Sequence, residues 1–439
     1  MPVQYKPTGN SAKAITDSVE AAVRTGRLSA GAALPSVRAL AQDLGLAPGT
    51  VAAAYRSLRD RGVVETSGRG GTRVRSRPPL TARSQAWPVP PGVRDLASGQ
   101  PTAHLLPSLV PVRGAISGTA AAPVTPVLPD LLAVARQRLA DDGVPAGHVT
   151  VAGGGLDGIA RVLSIHLRPG DVIGLEDPGW PNTLDLAGAL GLRVHPLPVD
   201  AQGPTPAGVR RALLAGARAL VVTNRAQNPT GAYLTAPRAA ALRRILSGTD
   251  ALVVEDDHAG ELAAVPLATL AAATQSWAFV RSVSKPYGPD LRVSLLAADE
   301  ATLASVEGRM RISTGWVSGL LQQLTLAMLC NPRAADVVAR AGAAYDERRT
   351  ALLEALAERD VPAVGATGLN VWVPVPDETA VVAGLLRAGW AVAPGARFRQ
   401  TSGPGVRVTV GDLDPRRDIE PLADAIAVLL TRTAARWTT

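Results

Sequence analysis

Two hydrophobic rhythms divide the chain. Between residues 12 and 58 apolar side chains recur at helical spacing. Ile15, Val19, Ala22 and Val23 share one face, and Gly26 stands where a C-terminal cap is expected. Ser36, an N-cap type after Pro35, opens a second helix that turns Val37, Leu40, Ala41 and Leu44 inward, and Gly45-Leu46 ends it. A third helix follows Pro48 and buries Val51, Ala54, Tyr55 and Leu58. Val63-Val64-Glu65 and Thr72-Arg73-Val74-Arg75 then read as two short strands joined by Ser-Gly-Arg-Gly-Gly. Two helices with a tight turn followed by a small basic hairpin predict a winged helix-turn-helix.

Beyond residue 96 the pattern changes to short apolar runs alternating with helical stretches. Strands are predicted at 149–152, 172–176, 192–198, 219–223, 251–255, 278–283 and 292–297. That alternation argues an α/β domain with a mostly parallel sheet covered by helices. Between the two regimes, Pro78-Pro79, Pro88 and Pro90-Pro91-Gly92 break any periodicity, as a semi-rigid spacer does. The expected domains are residues 1–77, a linker over 78–95, and residues 96–439.

Charge sharpens the division. The 439 residues carry a net charge of +8, yet residues 1–77 hold 12 Lys and Arg against 5 Asp and Glu, a balance of +7. Such asymmetry is the footprint of nucleic-acid contact by one end of a chain. The single cysteine, Cys330, excludes an internal disulfide framework and a cysteine-rich metal site, and no metal is expected. The N-terminus lacks an apolar signal core, and no run of about 18 apolar residues appears. The expectation is a cytoplasmic protein, associated with the nucleoid when on DNA, with no membrane role.

The chemistry concentrates in Arg281–Arg292, RSVSKPYGPDLR, between two apolar runs. A lysine held there is desolvated, which lowers its pKa and makes it a usable amine nucleophile toward an aldehyde. Ser282, Ser284 and Arg292 offer hydroxyls and a forked cation suited to a phosphate. Lysine and phosphate together suggest pyridoxal phosphate. Other candidates lie after predicted strands, where ligands of parallel sheets bind. Gly153-Gly154-Gly155 opens a helix from about Leu156, a phosphate cradle, and Glu-Asp-Pro-Gly-Trp-Pro-Asn presents Trp180 on a turn. Asn228-Pro229-Thr230-Gly231 offers an amide, and Glu255-Asp256-Asp257-His258 a carboxylate able to pair with a ring nitrogen.

The stretch LPSVRALAQDLGLAPGTVAAAYRSLRDRGVVETSGRGGTRV resembles the GntR-type DNA-binding domain almost end to end. The resemblance implies contacts to double-stranded operator DNA from Arg38, Thr50 at the recognition-helix start, and Arg69-Gly70 at the wing tip. Ala47-Pro48-Gly49 stands where that family often has polar or arginine side chains. Weight therefore shifts to phosphate contacts, the wing and Arg56.

Residues 96–430 resemble the fold-type I pyridoxal-phosphate domain of the aspartate aminotransferase superfamily. That resemblance implies Lys285 as the aldimine lysine and Asp256 as partner of the pyridine nitrogen. It implies Asn228 at the 3′-oxygen, Trp180 stacked on the ring, and phosphate contacts from Gly154, Gly155, Ser282 and Arg292. Arg407 matches an arginine that grips a substrate carboxylate. Two departures stand out. His258 occupies the place of a tyrosine that shares the 3′-oxygen with the asparagine. Pro126-Val127-Leu128-Pro129 replaces a tyrosine-bearing stretch that reaches the partner subunit's phosphate.

Together the halves resemble MocR-type regulators. This implies a transcriptional regulator, a head-to-tail homodimer, and an effector that is an amino compound or a B6 vitamer acting on the Lys285 linkage. The rival expectation is a working aminotransferase with an accessory DNA-binding domain. A third is a cofactor-free dimerisation scaffold.

Overall fold

The structure, a computed structural model, describes residues 5–24, 27–29, 31–60, 63–67, 71–74, 89–110, 114 and 125–435. The N-terminal region contains α1 (Ala12–Arg24), α2 (Val37–Leu44), α3 (Pro48–Asp60), β1 (Val64–Ser67) and β2 (Gly71–Val74). Ser36 caps α2 through a hydrogen bond from Ala39 N, and Gly45 closes it at φ +65°, a left-handed conformation that glycine adopts without strain. The helices bury Ile15, Val19, Leu40, Val51, Ala54 and Leu58 in one small core. Tyr55 Oη donates to Pro35 O over 2.9 Å, tying α3 to the turn ahead of α2. β1 and β2 pair antiparallel from Val64–Val74 to Ser67–Gly71. Gly26, Arg69, Gly70 and Arg75, all given roles from sequence, lie outside the described residues.

The described residues of the rest of the chain build two sheets. This region runs through β3 (Arg94–Leu96), α4 (Pro129–Asp141), β4 (Val149–Ala152), α5 (Gly155–His166), β5 (Val172–Asp177), α6 (Pro181–Ala189), β6 (Arg193–Asp200) and β7 (Gly203–Pro204). There follow α7 (Pro206–Leu214), β8 (Ala217–Thr223), α8 (Ala236–Leu246), β9 (Leu252–Asp257), β10 (Trp277–Ser282), α9 (Ser284–Tyr287) and β11 (Ser294–Ala298). Then come α10 (Glu300–Arg311), α11 (Gly319–Leu329), α12 (Pro332–Ala357), β12 (Asn370–Pro374), α13 (Glu378–Arg387), β13 (Trp390–Pro394), β14 (Gly405–Thr409) and α14 (Ile419–Ala435).

The large sheet has the order β4-β11-β10-β9-β8-β5-β6-β7. Its centre, β10, β9, β8 and β5, is parallel, while β11 runs antiparallel to both β10 and β4. Each of the seven runs expected to be strands forms one. Strands buried on both faces need to be apolar throughout, which is why they read as uninterrupted runs. β11 starts at Ser294, so Arg292 stands in the loop before it.

The smaller sheet has the order β12-β14-β13-β3, with β3 parallel to β13. Arg94 and Asp95 were expected in the linker, but they belong to this sheet. Arg94 N donates to Gly389 O over 2.9 Å, and its guanidinium pairs with buried Asp418. The sheet gains an edge strand from a residue run separated from it by nearly 300 positions, a pairing with no local signature. Among the described residues no helix is long and apolar enough to cross a membrane.

Candidate functional site

The cofactor candidates meet beyond the carboxyl ends of the central strands. They line one cavity of about 400 Å³ that includes Lys285, Asp256, Asn228, Trp180, Arg292 and Arg407. Gly155, His258, Ser282 and Ser284 line it as well, and Gly154 lies against Arg292. Strand geometry explains the convergence, since β9 delivers Asp256, β10 delivers Ser282, and the one-turn α9 projects Lys285.

Lys285 Nζ donates to Gly99 O over 2.6 Å and to Gln100 Oε1 over 3.0 Å. Burial pushes its pKa down to about 7; the nearby Arg407 charge pushes the same way, and Asp256 opposes both. At neutral pH a large fraction of this amine is therefore unprotonated and nucleophilic.

Asp256 is 2% exposed, and among the described residues its Oδ1 finds no hydrogen-bond partner. A buried carboxylate oxygen left open is costly unless a donor arrives there. Its Oδ2 is 3.0 Å from His258 Nδ1. His258 thus engages Asp256 through its ring nitrogen. The physical reason is reach: a strand-end residue two positions from Asp256 folds its short ring back onto that carboxylate. Its ring centroid also lies 6.3 Å from that of Trp180, tilted by 32°.

Gly154 sits at φ +108° as the N-cap of α5. A Cβ there would fall 2.8 Å from Arg292 Nη2, so only glycine leaves the backbone free beside that guanidinium. The helix starts at Gly155, one residue before expectation, and a Cβ on Gly155 would meet Ser282 Cβ at 3.5 Å. A helix N-terminus, an arginine and a serine hydroxyl thus share one corner, as an anion requires. Ser284 differs: its Oγ is committed to Leu291 O at 2.9 Å.

Arg407 is 4% exposed and donates through Nη1 to Asn228 Oδ1 over 3.0 Å and through Nη2 to Ala97 O. With its oxygen taken, Asn228 turns its NH₂ donors elsewhere. The Phe398 ring packs 4.8 Å below the Arg407 guanidinium. Burial, and then the charge of Arg397, bring the Arg407 pKa down to about 9.

Several site residues escaped the sequence reading. Asp177, 3% exposed, accepts hydrogen bonds from Gln400, Thr401 and Ser402 and so anchors the loop after Phe398. Glu176 is buried beside Asp256; burial pushes its pKa up to about 7 although Thr223 and Gln227 donate to it. Asp257 lies under the sheet with Arg225 and Arg281. Burial opposes its charge, but the two guanidiniums prevail and hold it at about 2. Pro126–Pro129, without a tyrosine, leads into α4, and Pro126 O and Leu128 N both bond the Gln322 amide.

In the N-terminal region Arg38 on α2 and Arg56 on α3 are exposed, and Thr50 lies half-buried in the first turn of α3. Arg73 on β2 is exposed and donates to Gly31 O over 3.1 Å. Ala47, Pro48 and Gly49 present no polar side chain at the recognition-helix start.

A winged helix with outward arginines, joined in one chain to an aminotransferase-type fold, defines a class: DNA-binding transcriptional regulators built on a pyridoxal-phosphate domain. The family Aminotransferase class I and II matches residues 95–426, and Bacterial regulatory proteins, gntR family, matches residues 11–74. The chain belongs to the MocR-type regulators that combine these two families. It is 36% identical over 430 residues, 97% of its length and 99% of the relative's, to the vitamin B6 salvage pathway transcriptional repressor PtsJ of Salmonella typhimurium. The probable rhizopine catabolism regulatory protein MocR of Rhizobium meliloti is 25% identical over 431 residues, covering 89% of this chain and 84% of that protein. LysN, an α-aminoadipate aminotransferase from Thermus thermophilus, shares the fold at 22% identity with a TM-score of 0.68, covering 78% of this chain and 94% of that one.

The cofactor of this domain is pyridoxal 5′-phosphate, and the residues present fit it. The open Asp256 Oδ1 suits a pyridinium N–H, and the Gly154–Arg292 corner leaves room for a phosphate. When bound, the cofactor supplies an electrophilic carbon to amines and a ring that withdraws electrons.

Proposed function

We propose that the large domain senses pyridoxal phosphate or an amino compound at Lys285, and that its occupancy controls operator binding by the winged helix. The observation that carries this reading is the meeting, in one cavity, of a nucleophilic Lys285, the open Asp256 oxygen and the Arg292 corner. In it, Lys285 makes the covalent link and Asp256, oriented by His258, holds the pyridine nitrogen. Asn228 donates to the 3′-oxygen and Trp180 covers the ring. Gly154, Gly155, Ser282 and Arg292 take the phosphate, and Arg407 takes a ligand carboxylate. On DNA, Arg38 and Arg56 hold phosphates, Thr50 stands at the helix start, and Arg69 and Gly70 contribute further contacts. Kinship with a vitamin B6 salvage repressor supports B6 supply as the regulated process.

The switch requires the ligand to favour one state over another, since equal affinity for both would leave operator binding unchanged. Two copies acting as a head-to-tail homodimer would present two recognition helices to repeated half-sites. Exposed Ile312 and Trp316, between α10 and α11, and Leu320 in the first turn of α11 support a second copy as their cover. The protein acts in the cytoplasm, on the nucleoid.

A second reading, residual transamination, is favoured by the Arg407–Asn228 pair beside a lysine whose pKa burial lowers to about 7. Turnover of amino acid with a 2-oxo acid at ordinary enzymatic rates would establish it.

The test is a titration of the purified protein with pyridoxal phosphate, following visible absorption and operator DNA anisotropy together. A yellow band that Lys285→Ala abolishes, with a change in DNA affinity on loading, is the expected result. DNA affinity indifferent to loading, in parent and variant alike, would leave a scaffold domain instead.

A further inference from the structure

The stretch that leads out of β3 is tied to both sheets beside the site. On one side, Arg407 Nη2 of β14 donates to Ala97 O, and Gly99 N donates to Thr409 Oγ1 over 3.1 Å. On the other, Lys285 Nζ of α9, which follows β10, donates to Gly99 O over 2.6 Å and to Gln100 Oε1 over 3.0 Å. Gly99 permits this crossing. Its φ of +64° lies in the left-handed region, and a Cβ there would stand 2.8 Å from Arg407 Nη1. Residues 97–100 thus form a strap between the smaller and the larger sheet, fastened by the nucleophile itself.

The count of hydrogens on that nitrogen decides what the strap can do. An ammonium has three N–H bonds; the neutral amine, the form that attacks, has two and a lone pair. With both N–H bonds spent on Gly99 O and Gln100 Oε1, the lone pair is left for a carbonyl carbon. When the nitrogen condenses with an aldehyde, a C=N double bond forms and both amine hydrogens leave with the carbonyl oxygen as water. The nitrogen then carries no hydrogen, or one if it takes up a proton. The two bonds to the strap cannot both survive. Gly99, half-buried, loses the donor to its carbonyl, while exposed Gln100 turns its amide to water. In sequence the strap directly follows β3 and the proline-rich spacer, which leads back to the winged helix.

We propose, resting on the reading that Lys285 takes the cofactor covalently, that the strap at residues 97–100 is the element that reports this link. Covalent linkage, rather than occupancy of the cavity, unfastens the strap, loosens the chain running back through β3 to the spacer, and so changes operator binding. Gly99 and Gln100 are positioning residues, which hold the free amine and are let go once it is linked. A selectivity follows. A B6 vitamer with an aldehyde acts, whereas one with an alcohol at the same carbon fills the cavity without effect.

The experiment uses the full-length protein without ligand, with pyridoxal 5′-phosphate, and with pyridoxine 5′-phosphate, whose alcohol carbon cannot condense with an amine. Amide hydrogen exchange over residues 97–102 is read by mass spectrometry, and operator affinity by DNA anisotropy. Pyridoxal phosphate should speed that exchange about 10- to 100-fold, the factor that two lost hydrogen bonds imply, and change operator affinity. Pyridoxine phosphate, at concentrations where it competes with pyridoxal phosphate, should do neither. Unliganded Lys285→Ala, which cannot fasten the strap, should match the loaded parent in both readouts. Gln100→Ala, which keeps the lysine, should exchange faster than the parent before loading. Exchange unchanged on loading, pyridoxine phosphate acting as pyridoxal phosphate does, or Lys285→Ala behaving like the unliganded parent overturns the strap and leaves cofactor sensing standing. Operator affinity that no ligand and no variant alters overturns both. Should Lys285→Ala fail to fold or pyridoxine phosphate fail to compete, Gln100→Ala decides, since exchange no faster than the parent's overturns the strap.

Discussion

Lys285 Nζ lies 2.6 Å from the carbonyl oxygen of Gly99, so the nucleophile is held by the stretch that leads out of β3. Burial lowers its pKa to about 7, with Arg407 adding to the shift and Asp256 opposing it. Covalent capture of pyridoxal phosphate needs the neutral amine. Its second-order rate should therefore climb as pH rises through about 7 and level off above, read by stopped-flow absorbance. Arg407→Gln removes a repelling charge and moves the midpoint up. Asp256→Asn removes an attracting one and moves it down. A midpoint near the ordinary lysine value of 10.5 would contradict the desolvated placement.

Asp256 offers the cofactor a carboxylate oxygen that is buried and open, with the other oxygen held by His258 at 3.0 Å. A hydrogen bond between charged partners contributes about 1.5–3 kcal/mol. Asp256→Ala should weaken pyridoxal phosphate binding roughly 10- to 100-fold, measured by equilibrium titration. His258→Leu should weaken it by less, because the carboxylate remains but loses its orienting donor. Equal affinity in Asp256→Ala and the parent would remove the pyridine assignment.

Much of this architecture was legible along the chain because its signals are local. Val51, Ala54, Tyr55 and Leu58 mark one helical face by spacing alone, and all four are buried. Apolar runs mark the central strands; Lys285, Asp256 and Asn228 lie at or beyond the ends of three of them, and Arg292 lies just ahead of β11. What stayed hidden joins distant positions. Gly99 meets Lys285 across 186 residues, and Asp177 meets Gln400 across 223. No periodicity encodes such pairs. The same reason hid β3, a three-residue strand whose partner β13 comes near the end of the chain.

The exposed Arg56 on α3 is expected to act through phosphate rather than through bases, since Ala47, Pro48 and Gly49 give the helix start little to read with. Arg56→Ala should weaken binding to operator and unrelated DNA by similar factors. It should also reduce the slope of log affinity against log salt by about 1. Fluorescence anisotropy across a salt series measures both quantities. Loss confined to the operator, with an unchanged salt slope, would make Arg56 a base reader instead.

Asp177 closes the wall that carries Phe398. Its carboxylate accepts from Gln400 N at 2.9 Å, Thr401 N at 2.8 Å and Oγ1 at 2.7 Å, and Ser402 N at 2.9 Å and Oγ at 2.7 Å. Burial works against its charge, but these donors outweigh it and hold the pKa below the ordinary value of 3.8. The sign follows directly. The stabilisation is fully present above the unfolded value and is lost as pH falls through the lower, folded value. Asp177→Asn turns an acceptor into a donor facing donors, and should cost about 1–3 kcal/mol at neutral pH. Thermal denaturation should show a constant gap between parent and variant above about pH 5, narrowing as pH drops below 3.8. The loop so released carries Phe398 away from Arg407, so ligand carboxylate affinity should fall in the same variant. A variant that loses stability but keeps that affinity would show that Arg407 is positioned without this loop.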